Sequence, residues 1–321
     1  MTVSRRGFFG IVAGAGATLM AARARAAASQ PAPTVMVIGG TGRVGSIAVR
    51  RLIAAGIPVA FTTRSASNAD MFGPGARGVV TDLNRRDGLE RAFAGCSAAM
   101  MIIANGDDET TQGLNCVAAM REAGVQRLVY LSVARTVPHY VYKIPIERAL
   151  EDWGVSRTIL RPNYFDQFDL GWRRQIVDEG VYPVPIGLIG VNRIDCRDIV
   201  EVAFERLMAP RSGAGGASHE DVELHGPDAL TGPTVAALYQ AALGTPVRYV
   251  ADLPEAERAR YLFAGERGRK IAVFWEEGRA KASPEAVART QALVGRPLRR
   301  FADFVPEAVA LWRTRAGTGA G

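Results

Sequence analysis

The sequence predicts an α/β fold: a doubly wound parallel sheet with a smaller C-terminal α/β domain. Three observations carry that expectation. Short continuous apolar runs alternate with helical patterns through the first half, as strands buried on both faces and their crossover helices do. The first run, Thr34-Val35-Met36-Val37-Ile38, passes directly into a glycine triplet and then a helical pattern. Composition agrees: 48% of the 321 residues are apolar and 22% charged, which excludes a disordered or fibrous chain.

The glycines stand at 39, 42 and 45 in Gly39-Gly40-Thr41-Gly42-Arg43-Val44-Gly45, ahead of a helix with Ile47, Val49, Leu52 and Ile53 on its apolar side. Such a turn needs glycine for tightness, for close backbone approach to a pyrophosphate, and for packing of helix on strand. The helix N-terminus then offers free N–H groups to phosphate. The context of strand, turn and helix predicts a dinucleotide site of Rossmann type. Residues 58–62 read as a second strand. Residues 78–80 lead into Asp82-Leu83 as a third, 98–103 form a fourth, 127–131 a fifth and 156–160 a sixth. Helical patterns over 87–93, 110–123 and 144–153 separate them, the last two ended by Gly124 and Gly154. Ligands of such sheets bind at the carboxyl ends of the strands.

The second strand ends in Thr62-Thr63-Arg64-Ser65, without the acidic residue that bonds the ribose hydroxyls of NAD. The planar fork of an arginine suits the 2′-phosphate of NADP instead.

Val37 to Gly45, then Glu122-Ala123-Gly124-Val125-Gln126-Arg127-Leu128-Val129-Tyr130-Leu131-Ser132, then Gly154-Val155 leading to Ile159-Leu160-Arg161-Pro162-Asn163-Tyr164-Phe165, resemble in residues and order the NmrA-like family of atypical short-chain dehydrogenases. Ile194-Asp195-Cys196-Arg197-Asp198-Ile199, Leu224-His225-Gly226-Pro227 and Leu243-Gly244-Thr245-Pro246-Val247 extend the resemblance over about residues 33–315. It implies NADP(H) as cofactor. It also implies that Gly39, Thr41, Gly42, Arg43, Val44 and Gly45 form the pyrophosphate turn, with Arg64 on the adenosine phosphate. Asp82 and Leu83 would meet adenine, and Ala104 and Asn105 would pass under the cofactor. Lys143 would reach the nicotinamide ribose, and Pro162 and Asn163 would flank the nicotinamide. A smaller domain, mostly after Phe165, would close over a small-molecule substrate.

The catalytic pattern departs from that of most short-chain dehydrogenases. These carry Tyr-x-x-x-Lys, in which tyrosine gives a proton to the substrate oxygen. Here the stretch reads His139-Tyr140-Val141-Tyr142-Lys143. Four-residue spacing sets His139 and Lys143 on one helix face, provided the helix already includes His139. His139 is a candidate acid near neutral pH, or an inert replacement in a protein that only binds cofactor. Tyr164, Phe165, Phe168 and Trp172 follow as an apolar substrate wall or as core. His225 reads as structural, and Arg267, Arg269 and Lys270 as a solvated helix face.

The net charge of +7 raises the question of nucleic acid. Residues 1–28 hold four arginines (Arg5, Arg6, Arg23, Arg25) and no acid, so the remaining chain carries only +3 and shows no reading motif. Ser4-Arg5-Arg6-Gly7-Phe8-Phe9, the mild apolar stretch 10–20 and Ala26-Ala27-Ala28 resemble a twin-arginine signal peptide. The apolar run is too short to span a membrane. The export machinery is thus an expected partner, the periplasm or exterior the expected location, and stable membrane insertion is not expected. Cys96, Cys116 and Cys196 read as three small buried side chains, and no metal-ligand spacing appears.

The expected organisation is a signal over 1–28, a linker over 29–33, a Rossmann domain over 34–165, a smaller substrate domain within 166–315 with parts of 191–225 returning to the sheet, and a tail over 316–321. Pro183, Pro185 and the glycines of 187–190 mark an irregular segment over the cleft, and 211–218 a connection. Residues 234–243, 254–263, 284–294 and 301–312 read as amphipathic helices with proline-marked starts. The functional expectation is hydride transfer from NADPH to a small apolar or aromatic acceptor, a quinone, dye or carbonyl. The alternative is a sensor or scaffold that binds NADP(H) without turnover. Substrate and oligomeric state stay open.

Overall fold

The computed structural model describes residues 34–209, 217–258, 260–261 and 265–317. The expected signal, the linker, most of the 211–218 connection and the end of the tail lie outside the described residues.

The first half alternates as its apolar runs predict. In chain order come β1 (Thr34–Ile38), α1 (Arg43–Ala54), β2 (Val59–Thr63), β3 (Ala76–Val80), α2 (Leu89–Phe93) and β4 (Cys96–Met101). They are followed by α3 (Glu109–Glu122), β5 (Arg127–Leu131), α4 (Ile144–Trp153) and β6 (Ser156–Pro162). Two short strands, β7 (Val181–Tyr182) and β8 (Val191–Asn192), precede α5 (Cys196–Met208) and β9 (His219–Leu224). The remainder comprises β10 (Ala229–Leu230), α6 (Gly232–Leu243), β11 (Arg248–Tyr249), α7 (Glu255–Arg258), α8 (Gly265–Glu276), α9 (Pro284–Val294) and α10 (Phe301–Gly317).

Seven strands form one parallel sheet in the order β3-β2-β1-β4-β5-β6-β9. The order reverses between β1 and β4, which opens a crevice at their carboxyl ends. Alternate residues of β1 serve opposite faces. Val35 and Val37 pack with Val49 and Leu52 of α1 and with Ile199 and Ala203 of α5. Met36 and Ile38 pack with Phe93 of α2, Met120 of α3 and Leu150 of α4. A third apolar cluster, with Tyr182, Val235, Tyr239, Tyr249, Phe304 and Trp312, is built from later elements.

Cys196 begins a helix, and the Asp195 side chain accepts from Arg197 N at 2.7 Å and caps α5. Two details differ from the sequence reading. Only Glu255–Arg258 is helical among the described residues of 254–263. Pro138–Tyr142 is a 3-10 helix, and the α-helix starts only after Lys143. Cys96, Cys116 and Cys196 are buried free thiols, as expected. Among the described residues no helix is long and apolar enough to cross a membrane.

Candidate active site

The glycine turn sits at the crevice. Gly39 has φ +76°, a left-handed conformation that favours glycine, and a Cβ there would stand 2.4 Å from the Ile102 carbonyl just past β4. Its N–H donates to Thr62 Oγ1 at 3.0 Å, which ties the turn to the end of β2. A Cβ on Gly45 would stand 2.2 Å from the Gly39 carbonyl oxygen, so α1 rests directly on the turn. The first backward helical bond runs from Ser46 N to Gly42 O at 2.9 Å. The N–H groups of Arg43, Val44 and Gly45 therefore precede the helical ladder. Gly42 supplies no side-chain cap and the first turn holds no acid, so this end of α1 keeps its positive dipole for an anion. These features fit a dinucleotide pyrophosphate.

Arg64 is exposed one residue past β2 and makes no hydrogen bond or ion pair among the described residues. Asp82 and Leu83 follow β3: Asp82 Oδ1 accepts from Asn84 N at 3.0 Å, and Leu83 O from Asn115 Nδ2 at 3.0 Å. Ala104 and Asn105 are exposed beyond β4. Thr41 is half-buried, Arg43 is exposed with its guanidinium 5.4 Å from the Phe168 ring, and Val44 is buried. Pro162 ends β6. The Asn163 amide is engaged on both sides, donating to Ala280 O at 2.6 Å and accepting from Tyr164 N at 2.8 Å.

Lys143 and His139 come together, though not by α-helical spacing. Both reach one carboxylate, Glu109, the first residue of α3. Lys143 Nζ donates to Glu109 Oε1, and His139 Nε2 lies 2.5 Å from Glu109 Oε2. All three are buried, with His139 and Lys143 2% exposed and Glu109 1%. Burial alone would raise the Glu109 carboxyl, but the His139 bond and the Lys143 charge outweigh it and hold it below the usual range. An ionised carboxylate only accepts, so His139 Nε2 carries the proton of that bond. The His139 ring also lies 5.1 Å from the Tyr142 ring, and Lys143 Nζ 5.7 Å from the Tyr130 ring.

A second buried carboxylate, Glu147 on α4, organises the ends of β5 and β6. It accepts from Arg161 at 2.8 and 2.7 Å, from Ser132 Oγ at 2.5 Å and from Tyr140 OH at 2.8 Å. A third centre is Arg193, fully buried, which meets Asp169 at 2.9 and 3.0 Å, Asp166 at 3.4 Å and Tyr182 OH at 3.0 Å. Its guanidinium lies over the rings of Tyr164 and Phe301, at 4.8 and 4.1 Å. Tyr164 and Phe168 pack on each other at 5.1 Å, Phe165 stacks on Phe168 at 4.8 Å, and Tyr164 meets Trp275 edge-on. This aromatic group joins the end of β6 to the third cluster. His225 N donates to Thr290 Oγ1 at 3.1 Å, a structural contact. No group of His, Cys, Asp and Glu among the described residues could hold a metal ion.

Sequence reasoning missed Glu109, Glu147 and Arg193. Glu109 follows Asp107 and Asp108 and looks like one of three equivalent acids. A cue for Glu147 was available: it lies four residues past Lys143 on the face that carries Ile146 and Leu150 inward.

Comparison with known proteins places this geometry among relatives. The NAD(P)H azoreductase of Xenophilus azovorans is 30% identical over 282 residues, covering 84% of this chain and 96% of that protein. The NADPH-dependent quinone oxidoreductase of Escherichia coli, solved with NADPH, shares the fold at 21% identity and a TM-score of 0.66, over 85% of this chain and 99% of that one. The Citrobacter sp. triphenylmethane reductase, solved with NADP(H), does so at 21% identity and 0.67, with the same coverage. The family described as NmrA-like matches residues 31–258. With the parallel sheet, its switch point and the glycine turn in place, the chain belongs to the NmrA-like family.

Proposed function

We propose that the chain is an NADP(H)-dependent oxidoreductase that reduces a small apolar or aromatic acceptor: a quinone, a dye such as an azo compound, or a carbonyl. The observation that carries this reading is the pairing, at one end of the sheet, of a glycine cradle shaped for pyrophosphate with a buried Lys143–Glu109–His139 constellation. The azoreductase relative, aligned over most of both chains, supports the acceptor class.

Gly39, Thr41, Gly42, Arg43, Val44 and Gly45 would hold the pyrophosphate through backbone N–H groups. Arg64, free of partners among the described residues and next to β2, would take the adenosine 2′-phosphate. Bound NADPH supplies the hydride. The chain's own part is to place it and to hold a proton for the acceptor atom that does not receive hydride. We assign that step to the imidazole of His139, which shares the Glu109 carboxylate with Lys143.

We further propose that residues 1–28 are a twin-arginine export signal and that the protein works in the periplasm. The reading rests on the paired arginines, the apolar stretch and the small residues that follow in order.

Purified protein lacking residues 1–28 should oxidise NADPH in the presence of quinones, azo dyes or aldehydes. Tight NADPH binding with no oxidation by any of them would reverse the reading in favour of a non-catalytic sensor. Periplasmic protein from the producing cells should yield NADP(H) by mass spectrometry after denaturation. Fractionation that leaves the protein in the cytoplasm, unchanged when Arg5 and Arg6 become lysine, would refute the export reading.

A further inference from the structure

The short connection 280–282, between α8 and α9, is gripped by two asparagines from other elements. Asn163, the first residue past β6, donates its Nδ2 to Ala280 O at 2.6 Å. Asn192 of β8 holds the same stretch twice: its N–H donates to Ala280 O at 3.3 Å, and its Oδ1 accepts from Ala282 N at 2.8 Å. Both amides are fixed from behind. Asn192 is buried and donates its Nδ2 to Gly226 O at 3.0 Å, while Asn163 Oδ1 accepts from Tyr164 N at 2.8 Å. Each amide thus has an N–H on its oxygen and a carbonyl on its nitrogen, and neither can turn over without losing both bonds.

This grip fixes the end of α8. Gly278, at φ +72°, donates its N–H to Trp275 O at 2.9 Å, and Arg279 N donates to Phe274 O at 3.2 Å, the paired bonds that stop a helix and turn the chain. The gripped residues follow directly, so the last turn of α8 cannot shift without them. A Cβ on Gly187, between β7 and β8, would stand 3.0 Å from Glu276 Cα, so that loop bears on the same turn. On its other side α8 lies against Pro138–Tyr142, the segment that carries His139, and its Trp275 meets Tyr164 edge-on at 5.0 Å. The helix therefore stands past the carboxyl ends of β5 and β6, the end of the sheet where ligands bind.

We propose that Asn163 is a positioning residue for the acceptor. Its amide holds Ala280 and thereby seats α8 against Pro138–Tyr142 and Tyr164, which shapes the acceptor side of the site. The proposal rests on the oxidoreductase reading above and gives this side chain a task other than contact with the nicotinamide.

Asn163→Asp separates its two bonds: a carboxylate still accepts from Tyr164 N but cannot donate to Ala280 O. Hydrogen exchange of peptides covering 270–282, read by mass spectrometry, should quicken about threefold to tenfold in Asn163→Asp and in Asn163→Ala. The KM for menadione, a small naphthoquinone, should rise at least about threefold and kcat fall by less, while the NADPH Kd stays within about twofold. Exchange and KM at wild-type values in Asn163→Asp would confine the side chain to its local turn and overturn the proposal. A weakened NADPH Kd with unmoved exchange would make it a cofactor contact and overturn it too. Wild-type protein gives a reading that needs no variant: menadione added to the NADP⁺ complex should slow exchange over 270–282 beyond NADP⁺ alone, and no slowing would refute the placement of α8 at the acceptor. Wild-type protein that binds NADPH and reduces no acceptor would remove the oxidoreductase reading and this role with it. An active enzyme whose Asn163→Asp variant keeps its exchange and its menadione KM would remove this proposal alone.

Discussion

Gly45→Ala tests the cofactor cradle at the point where the structure leaves least room. The added methyl would lie 2.2 Å from the Gly39 carbonyl oxygen and 2.8 Å from both Gly39 C and Gly40 Cα. A carbon–oxygen contact settles at about 3.3 Å, so α1 and the turn must part by roughly 1 Å. Both sides of the contact are backbone, and no side-chain rotation relieves it. Overpacking of this kind costs about 1–3 kcal/mol, of which the helix preference of alanine over glycine returns about 1 kcal/mol. The net loss of roughly 0–2 kcal/mol lowers the melting temperature by at most about 8 °C in a chain of this size. The loss of cofactor is much larger. The N–H groups of residues 43–45 move off the phosphate as a unit, and each charge-assisted bond is worth about 1.5–3 kcal/mol. Losing even two raises the NADPH Kd at least a hundredfold. Fluorescence titration with NADPH and a thermal melt of the same sample separate the two effects. Binding within about threefold of wild type would refute a pyrophosphate site at this turn.

Arg64→Ala should lower the preference for NADPH over NADH by about tenfold to a hundredfold, read from the two dissociation constants. Because Arg64 is exposed and unpaired among the described residues, stability should stay within about 0.5 kcal/mol. Glu147→Gln leaves the buried Arg161 short of its bidentate carboxylate, with Asp221 at 3.1 Å as the remaining acid and Val133 O at 3.2 Å beside it. Urea unfolding should show a loss of about 3 kcal/mol, and a loss below about 1 kcal/mol would contradict the network. Asp166 is pushed up to about 7, first by burial and then by the neighbouring Asp195 and Asp169, against the pull of Arg193. Its folded value lies above its unfolded value, so it favours the fold below about pH 4 and loses that contribution as pH rises to about 7. Asp166→Asn should therefore flatten the pH dependence of stability in that window, by up to about 1.4 kcal/mol per pH unit. An unchanged slope in denaturant melts would refute it.

The elements that speak through local pattern were readable from sequence, and those set by distant partners were not. Strands β1, β2, β4, β5 and β6 are buried on both faces, and their apolar runs show it. β9 lies beside β6 as the sheet's last strand, and its sequence His-Glu-Asp-Val-Glu-Leu buries only Val222 and Leu224. One covered face leaves a polar alternation that does not resemble a central strand. The proline starts of α6 and α9 were marked, and Thr231 and Ser283 cap them through side-chain oxygens. The glycine turn was readable because its chemistry is local. Glu109 was not, because nothing in a run of three acids tells which one turns inward beneath a segment 30 residues on. Arg193 was hidden for a similar reason: its carboxylate Asp169 lies 24 residues away and its aromatic cover comes partly from Phe301.

The missing tyrosine of the catalytic pattern has a structural counterpart. Tyr140, one residue past His139, donates its hydroxyl to Glu147 at 2.8 Å. Burial and that carboxylate raise its pKa, so the proton is held more firmly. Tyr130 stands over Lys143, but its hydroxyl is fully buried and without a hydrogen-bond partner among the described residues. Burial, reinforced by Glu109 and Glu147, pushes it well above the ordinary phenol value. In the Tyr-x-x-x-Lys arrangement the lysine charge eases a phenolic proton away. Here the Lys143 ammonium meets a carboxylate instead, and neither phenol is set to release a proton at neutral pH. The group that shares the lysine's carboxylate is the imidazole. A carboxylate promotes protonation of an adjacent imidazole, whereas it would oppose ionisation of an adjacent phenol. Glu109 therefore makes chemical sense beside His139 and would work against a tyrosine in the same place. Replacing His139 by tyrosine alone should accordingly fail to sustain turnover unless Glu109 is neutralised with it, and equal activity of His139→Tyr with and without Glu109→Gln would contradict that coupling.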